Sequence, residues 1–344
     1  MNTLPSQLTT YRPSGAAPIT GIIMSLLMGS VAGVILGAIY AFGIFHSPLI
    51  YLNFILTGAL GFALGIVVTL GVDYFHIRNR AVAVFIGLIV FCVAYITAWL
   101  VYIPTVLAHF GNDTSSFDVP FILEWAYYFA QNPRLAFEWI QFINYNGVWT
   151  ITSPGSRQPG ISMSGIILAL IWLAEAAIIC FITIMSPHEA AGKPYSERQG
   201  KWLVAKALPG VIAYVENRDA FLNAFVRGDF SALSTPLAVD ESPAEGEEGE
   251  EADDVDFSQY ATVTLYADSY EPYVTVQNVS RSVSQTKEQT QKPSGGFGRK
   301  IWGWVKGWFS TSSSDDDGTT ITDVVNYLKI SPTVAQNISN ALGE

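Results

Sequence analysis

The chain has 344 residues, 50% of them hydrophobic and only 14% charged, where an ordinary soluble domain carries about 25% charged residues. From Pro13 to Val72, sixty consecutive residues contain no Asp, Glu, Lys or Arg. That is enough for two bilayer crossings of about 20 residues each, and it excludes a purely soluble protein. Residues 1–186 hold six acids and five bases, against twenty-three and thirteen in residues 187–344, so ten of the eleven net negative charges belong to an acidic, soluble tail.

After a short N-terminal stretch, 1–17, the uncharged runs predict crossings at 18–45, 50–72, 81–108 and 161–186. The break His46-Ser47-Pro48-Leu49 makes the first hairpin tight, because proline removes a donor and turns its predecessor away from helix. Asp73, His76, Arg78, Asn79 and Arg80 form the next turn. Four crossings put the N-terminus, that turn and the tail on one side. That side carries Arg12, Arg78, Arg80, Lys193, Arg198, Lys201 and Lys206 near the membrane, against Arg134 and Arg157 on the other, so both termini are expected in the cytoplasm. The first apolar run is too long for a cleaved signal peptide. Cys92 and Cys180 both fall inside spans and offer no disulfide framework.

Two stripes of small residues repeat every four positions: Gly29, Gly33, Gly37 and Ala41 in the first span, and Thr57, Gly61, Gly65 and Thr69 in the second. Such stripes let helix backbones approach closely where lipid supplies no hydrophobic drive between helices. The expectation is that these two helices pack on each other, with a gated pathway or a self-association seam as alternatives. In the last span, Glu175 lies about 20 Å from residue 162 and about 16 Å from residue 186 along the helix, close to the midplane. An ionised carboxylate there costs about 2.5–3.5 kcal/mol on insertion scales, so it must face protein, pair with donors or stay protonated. Gly29, Gly61 and Cys92 fall at the same depth, with Tyr95 and Thr97 as nearby donors. Glu175 either handles a proton or cation or fixes helix packing. The histidines His46, His76, His109 and His188 sit near span ends without ligand spacing, and no metal or cofactor is expected.

The 52-residue segment His109–Gly160 holds twelve of the 45 aromatic residues. Asp118 can cap a short apolar helix over 121–129. A second helix is marked by Asn132 as cap, Pro133 at its first position and Gly147 past its end. Its amphipathic face predicts an interfacial element that is either a cap over the bundle or a surface for a ligand or partner.

The tail begins with a cytoplasmic helical part, 187–236, including a helix around Val211–Val226 closed by Gly228. Between Asp240 and Asp256 come ten acids and no base, within an expected linker at 237–258. Tyr260–Tyr266 and Tyr273–Val279 alternate as a β-hairpin within 259–292. Within a flexible stretch, 293–319, Trp302, Trp304 and Trp308 stand among Arg299, Lys300 and Lys306, the composition of a membrane-surface contact. The end, 320–344, reads as two short helices, the second starting at Ser331-Pro332.

Taken in order, the four spans, Asn146-Gly147-Val148-Trp149, Glu175-Ala176 and Pro194-Tyr195-Ser196-Glu197-Arg198-Gln199-Gly200-Lys201-Trp202 resemble a group of uncharacterised bacterial multi-pass membrane proteins with a cytosolic zinc-ribbon-like tail. The resemblance implies a bacterial setting and a small ribbon fold. Its two cysteine pairs fall here on Ser196 and Gln199 and on Ala267-Asp268-Ser269-Tyr270, so the thiolates that zinc needs are missing. The expected fold class is a membrane all-α domain of four transmembrane helices with a small cytoplasmic α+β domain. The expected function is a non-enzymatic scaffold or assembly subunit of the inner membrane, contacting lipid and other membrane or cytoplasmic proteins. The alternative is a transporter or channel component built on Glu175, oligomeric because four helices enclose little space. Nucleic acid is disfavoured by the tail's acidity.

Overall fold

The computed structural model describes residues 8–47, 50–111, 119–147, 149–151, 161–237, 259–267, 270–281 and 319–342. The chain divides into two compact units, one of residues 13–193 and one that joins residues 1–12 to residues 194–344. The acidic stretch and the Trp-rich stretch with Trp302, Trp304, Trp308, Arg299, Lys300 and Lys306 lie outside the described residues.

The first unit is built on α1 (Ile19–His46), α2 (Ile50–Tyr74), α3 (Arg80–Gly111) and α6 (Gly165–Ala190), with α4 (Val119–Gln131), α5 (Pro133–Asn146) and the short pair β1 (Trp149–Ile151) and β2 (Ile161–Met163) between α3 and α6. The four long helices are long and apolar enough to cross a membrane. Their near end gathers Ile19, Tyr74, Arg80 and Ala190, and their far end His46, Ile50, Gly111 and Gly165. The near-end turn is pinned by Asn79, whose side chain accepts from the backbone N–H groups of Ala81 and Val82 and donates to the carbonyl of Gly15. In α1 every fourth residue is small and buried (Gly21, Ser25, Gly29, Gly33, Gly37, Ala41), while Ile23, Leu27, Val31, Ile35 and Ile39 face outward.

The two small-residue stripes meet different partners from those expected. Gly29, Gly33 and Gly37 lie against Val90 and Ala94 of α3, whereas Gly61 and Gly65 lie against Ile179, Ile182 and Ser186 of α6. The helices α1 and α2 do pack on each other, with Gly71 against Ser25 and Gly43 against Leu56, but the glycines of the two stripes lie instead in two separate seams with α3 and α6. A helix needs only one smooth face for close approach, and the partner can supply medium-sized side chains. Between the seams, Leu60, Leu64, Val68, Ile86, Val90 and Ile179 fill the near half of the bundle.

At the far end, α4 and α5 lie across the helix ends. Phe129, Ala136 and Ile143 pack with Ile103 and Val106 of α3, and Trp125, Trp139, Trp99 and Trp172 join the same cluster. Asn132 precedes α5, Pro133 takes its first position, and Gly147 ends it at φ 76°. Arg134 and Glu138 pair at 3.1 Å on its exposed face. Asp118 lies outside the described residues.

The second unit holds a four-stranded antiparallel sheet in the order β5 (Ala205–Ile212), β6 (Gln259–Tyr266), β7 (Tyr273–Arg281) and β8 (Thr319–Lys329). It also contains the small pair β3 (Tyr195–Ser196) and β4 (Lys201–Trp202), the helix α7 (Arg218–Val226), the turn α8 (Ser231–Ser234) and the C-terminal helix α9 (Pro332–Leu342). The core joins Ile212, Leu222, Leu233, Val263, Val274, Val276, Leu328 and Ile338. The expected β6–β7 hairpin forms, paired from Gln259↔Ser280 to Tyr266↔Tyr273.

Two tail expectations are corrected. The helix expected over Val211–Val226 is confined to Arg218–Val226, because Ala205–Ile212 is a strand bulged between Ala207 and Val211. The first of the two expected C-terminal helices is the strand β8, which pairs along β7 from Tyr273↔Lys329 to Arg281↔Thr319. The chain's beginning joins the same sheet. Thr10 bridges Leu328, Tyr11 N–H donates to the Tyr327 carbonyl at 2.9 Å, and Lys329 N–H donates to the Thr9 carbonyl at 2.9 Å.

Candidate functional site

Glu175 sits on α6 about 15 Å from the far end of that helix at 1.5 Å per residue. Its side chain is buried, with only 9% of the residue exposed. It borders a cavity of about 50 Å³ lined from all four long helices: Tyr40, Ala41 and Ile44 of α1, Asn53 of α2, Tyr95, Ala98, Trp99 and Tyr102 of α3, and Ile171 and Trp172 of α6. The cavity exists because Ala41 and Ala98 are small where their helices come together and leave the space between larger neighbours unfilled.

The walls are held by hydrogen bonds of definite direction. The Thr57 hydroxyl donates to the Asn53 carbonyl at 2.8 Å. Its single proton is thereby used, so the Tyr40 hydroxyl, 3.1 Å away, donates to Thr57. The Tyr95 hydroxyl donates to the carbonyl of Trp172 at 3.4 Å and ties α3 to α6 one turn before Glu175. Trp99 packs edge-on against Tyr95, Tyr102 and Trp172, with ring centroids 6.4, 5.8 and 4.8 Å apart. Trp99 and Trp172 also belong to the cluster with Phe129 and Trp139 of α4 and α5, so the far-end helices pack against two residues of the cavity wall. The apolar core of the near half adjoins the wall through Tyr40 and Tyr95.

Three polar groups of this cavity have no hydrogen-bond partner among the described residues: the Glu175 carboxyl, the Tyr102 hydroxyl and the side chain of Asn53, whose Oδ1 is fully buried. An unpaired buried acceptor costs roughly 1–3 kcal/mol, and such groups in folded proteins are normally met by a partner, a water or a ligand. The space suffices for a few atoms, since one water occupies about 10–15 Å³ on this scale.

Of the residues singled out from the sequence, Glu175 and Tyr95 come together here. Thr97 does not line the cavity, and its hydroxyl donates back to the Val93 carbonyl of its own helix at 2.8 Å. Gly29, Gly33, Gly37, Gly61 and Gly65 stand in the helix seams and outside the cavity wall. Tyr40, Asn53, Trp99, Tyr102 and Trp172 escaped the sequence reading. Their signal was available: Tyr95, Trp99 and Tyr102 recur at i, i+4 and i+7 on one face of α3, and Asn53 is a rare amide inside a span.

Among the described residues no group of three His, Cys, Asp or Glu side chains could hold a metal ion. His46 Nδ1 lies 2.9 Å from the Phe42 carbonyl, and the side chain of His109 is outside the described residues. In the tail, Ser196 is buried and its Oγ accepts from the Gln199 N–H at 3.3 Å, forming a tight turn that Gly200 completes at φ 66°. The Arg198 guanidinium sits 5.5 Å from the Tyr270 ring centroid, so the two stretches to which the family resemblance would assign cysteine pairs meet through a cation and an aromatic ring. The chain matches no protein-family model, no curated protein and no solved structure.

Proposed function

We propose that the chain is a non-enzymatic membrane subunit of the transporter or channel class whose working site is the Glu175 cavity. The observation that carries this reading is the buried carboxyl bordering a mostly apolar, partly empty space that Asn53 and Tyr102 also line, none of the three paired among the described residues. A carboxyl that served only helix packing would be expected to spend its oxygens on neighbouring donors, as Thr57, Thr97 and Tyr95 spend their hydroxyls. In an apolar interior the carboxylate must be neutralised by a proton or by another cation, and exchange between the two is the elementary step of a coupled carrier.

The setting we propose is the inner membrane of a bacterium with both termini cytoplasmic. The cationic bias of the near-end side supports it, as does the family resemblance for the bacterial part. The test is reconstitution of the full chain in liposomes with a pH-sensitive dye inside and imposed gradients of ammonium, sodium or potassium. Proton movement driven by one of these gradients, and lost in Glu175→Gln while insertion and elution are unchanged, is the expected result. If Glu175→Gln matches the wild type, the transport reading fails.

A second reading, the scaffold or assembly subunit, is favoured by one observation. The outward face of α4 and α5 exposes Leu123, Tyr127, Phe137, Phe142 and Tyr145, an apolar surface suited to lipid or a protein partner. A photo-crosslinker at Tyr145 should capture one protein of fixed mass if the scaffold reading holds, and lipid alone if it does not.

A further inference from the structure

We propose that the Glu175 cavity binds a small primary ammonium ion, held by Glu175, Asn53 and Tyr102 within the ring of aromatic side chains. This inference rests on the reading of Glu175 as the working site and names the chemical class of its cation.

Three observations narrow the choice. The first is the count of free polar groups. A primary ammonium group carries three N–H donors and no acceptor, and the residues lining the cavity include three groups able to accept that are unpaired among the described residues: the Glu175 carboxylate, Asn53 Oδ1 and the Tyr102 hydroxyl. A bare proton on Glu175 leaves Asn53 Oδ1 and most of the space without a partner. The second is the wall. Five rings, those of Tyr40, Tyr95, Trp99, Tyr102 and Trp172, line the cavity that the carboxyl borders. Aromatic faces attract organic cations through their quadrupole, most strongly when water is excluded. A calcium ion takes six to eight oxygen ligands, and magnesium keeps several waters of a strict octahedron; a single carboxylate among aromatic rings suits neither. The third is size. The cavity of about 50 Å³ exceeds the roughly 10–15 Å³ that one water needs, so it has room for a small ion such as methylammonium or ethylammonium.

Charge balances in either protonation route. A neutral amine entering a site that holds protonated Glu175 takes that proton and leaves an ammonium–carboxylate pair. An ammonium ion entering the same site displaces the proton to water. The complex is identical, and no net charge remains in the bilayer interior.

The test is equilibrium dialysis of radiolabelled methylammonium with the purified full chain in gentle detergent. Saturable binding is expected, displaced by ammonium and ethylammonium. A hundredfold excess of sodium chloride should not displace it, and neither should tetramethylammonium, which has no N–H to offer. Glu175→Gln and Asn53→Leu should each weaken binding at least tenfold, and Tyr102→Phe, which keeps the ring, severalfold. Absence of saturable binding to the wild type, equal competition by sodium or tetramethylammonium, or unchanged binding by Asn53→Leu overturns the proposal; the first two need no variant to fold. The outcomes separate from those of the transport reading. Cation-driven flux that depends on Glu175, with no methylammonium binding, overturns the ammonium assignment alone. Methylammonium binding that Glu175→Gln weakens, with no Glu175-dependent flux, supports the assignment and overturns transport.

Discussion

Adding one methyl group at Gly37 should separate α1 from α3 and open the Glu175 cavity. A Cβ built at Gly37 falls on the backbone of Ala94, meeting its carbonyl oxygen, carbonyl carbon and Cα. None of these can rotate away, so the helices must part. Overpacking a well-filled interior costs about 1–3 kcal/mol. The gain in helix propensity from glycine to alanine, about 1 kcal/mol, offsets only part of that. Gly37→Ala is therefore expected to be less stable than wild type by up to about 2 kcal/mol. Gly43→Ala on the same helix is the control. Its Cβ would meet only the Leu56 side chain, at 3.2 Å from Cδ1, and a terminal methyl can swing aside. That variant should be neutral or up to about 1 kcal/mol more stable. The measurement is reversible unfolding in mixed micelles followed by circular dichroism, with methylammonium binding read in parallel, since Tyr40 and Ala41 lie one turn beyond Gly37 on the cavity wall. Equal stability of Gly37→Ala and Gly43→Ala would refute the claimed α1–α3 contact.

Three further outcomes concern the tail. Asn278 spends its whole amide on one residue, accepting from Val215 N–H at 3.0 Å and donating to the Val215 carbonyl at 2.8 Å. Asn278→Ala should cost about 1–3 kcal/mol and raise the exchange rate of the Val215 amide, and unaltered exchange there would remove the role assigned to it. Leu328 is fully buried beneath the sheet, so Leu328→Ala should cost about 2–5 kcal/mol in the tail transition observed by urea unfolding; a loss below about 1 kcal/mol would mean the core does not depend on β8. The Asp229 carboxylate accepts from both the hydroxyl and the N–H of Ser231, and these bonds hold its pKa below the ordinary 3.8. A depressed carboxylate stabilises the fold fully above its unfolded pKa and loses that contribution as pH falls through the lower folded value. An NMR titration should therefore place the Asp229 midpoint below 3.8, and Ser231→Ala should raise it; a midpoint that Ser231→Ala leaves in place contradicts this cause.

The four long helices were legible because charged and proline-containing stretches interrupt otherwise unbroken apolar runs. Their ends were less so. The last helix begins at Gly165, held at φ 62°, and runs through Pro187 to Ala190, where an interior proline loses one hydrogen bond without ending the helix. Strand β8 was hidden for a local reason. Val324 and Val325 are both buried, which breaks the alternation of a strand and resembles a helical face. The register slips twice, on either side of the Val276↔Val325 pair: Val324 is the extra residue of one slip, which lets two adjacent side chains turn inward, and Tyr327, at φ 52° with its N–H on the Thr275 hydroxyl, lies in the other. Tyr11 and Tyr266 flank the Tyr327 ring at 6.4 and 5.0 Å and help hold that conformation. Strand β5 was obscured similarly by Pro209 and Gly210 at its bulge, where Gly210 makes room for Leu342 of the C-terminal helix.

The site was legible in one residue and obscure in its surroundings, and the asymmetry has a physical origin. A carboxylate within a span stands out because its transfer cost is large whatever surrounds it. Tyrosine and tryptophan carry no such cost and are common near membrane interfaces, so their presence on α3 does not by itself separate a lipid anchor from a cavity wall. What separates them is helix pairing. Depth alone predicts Gly29, Gly61 and Cys92 beside Glu175. The seams instead spend the glycines on close contacts in the bundle wall, and Tyr40, Tyr95 and Tyr102 converge where Ala41 and Ala98 leave space. Close approach along the stripes and openness at the alanines are thus parts of one packing arrangement. Substitutions that loosen the α1–α3 seam should disturb ligand binding before they disturb the apolar core of the near half, because the cavity walls share fewer buried side chains than that core does.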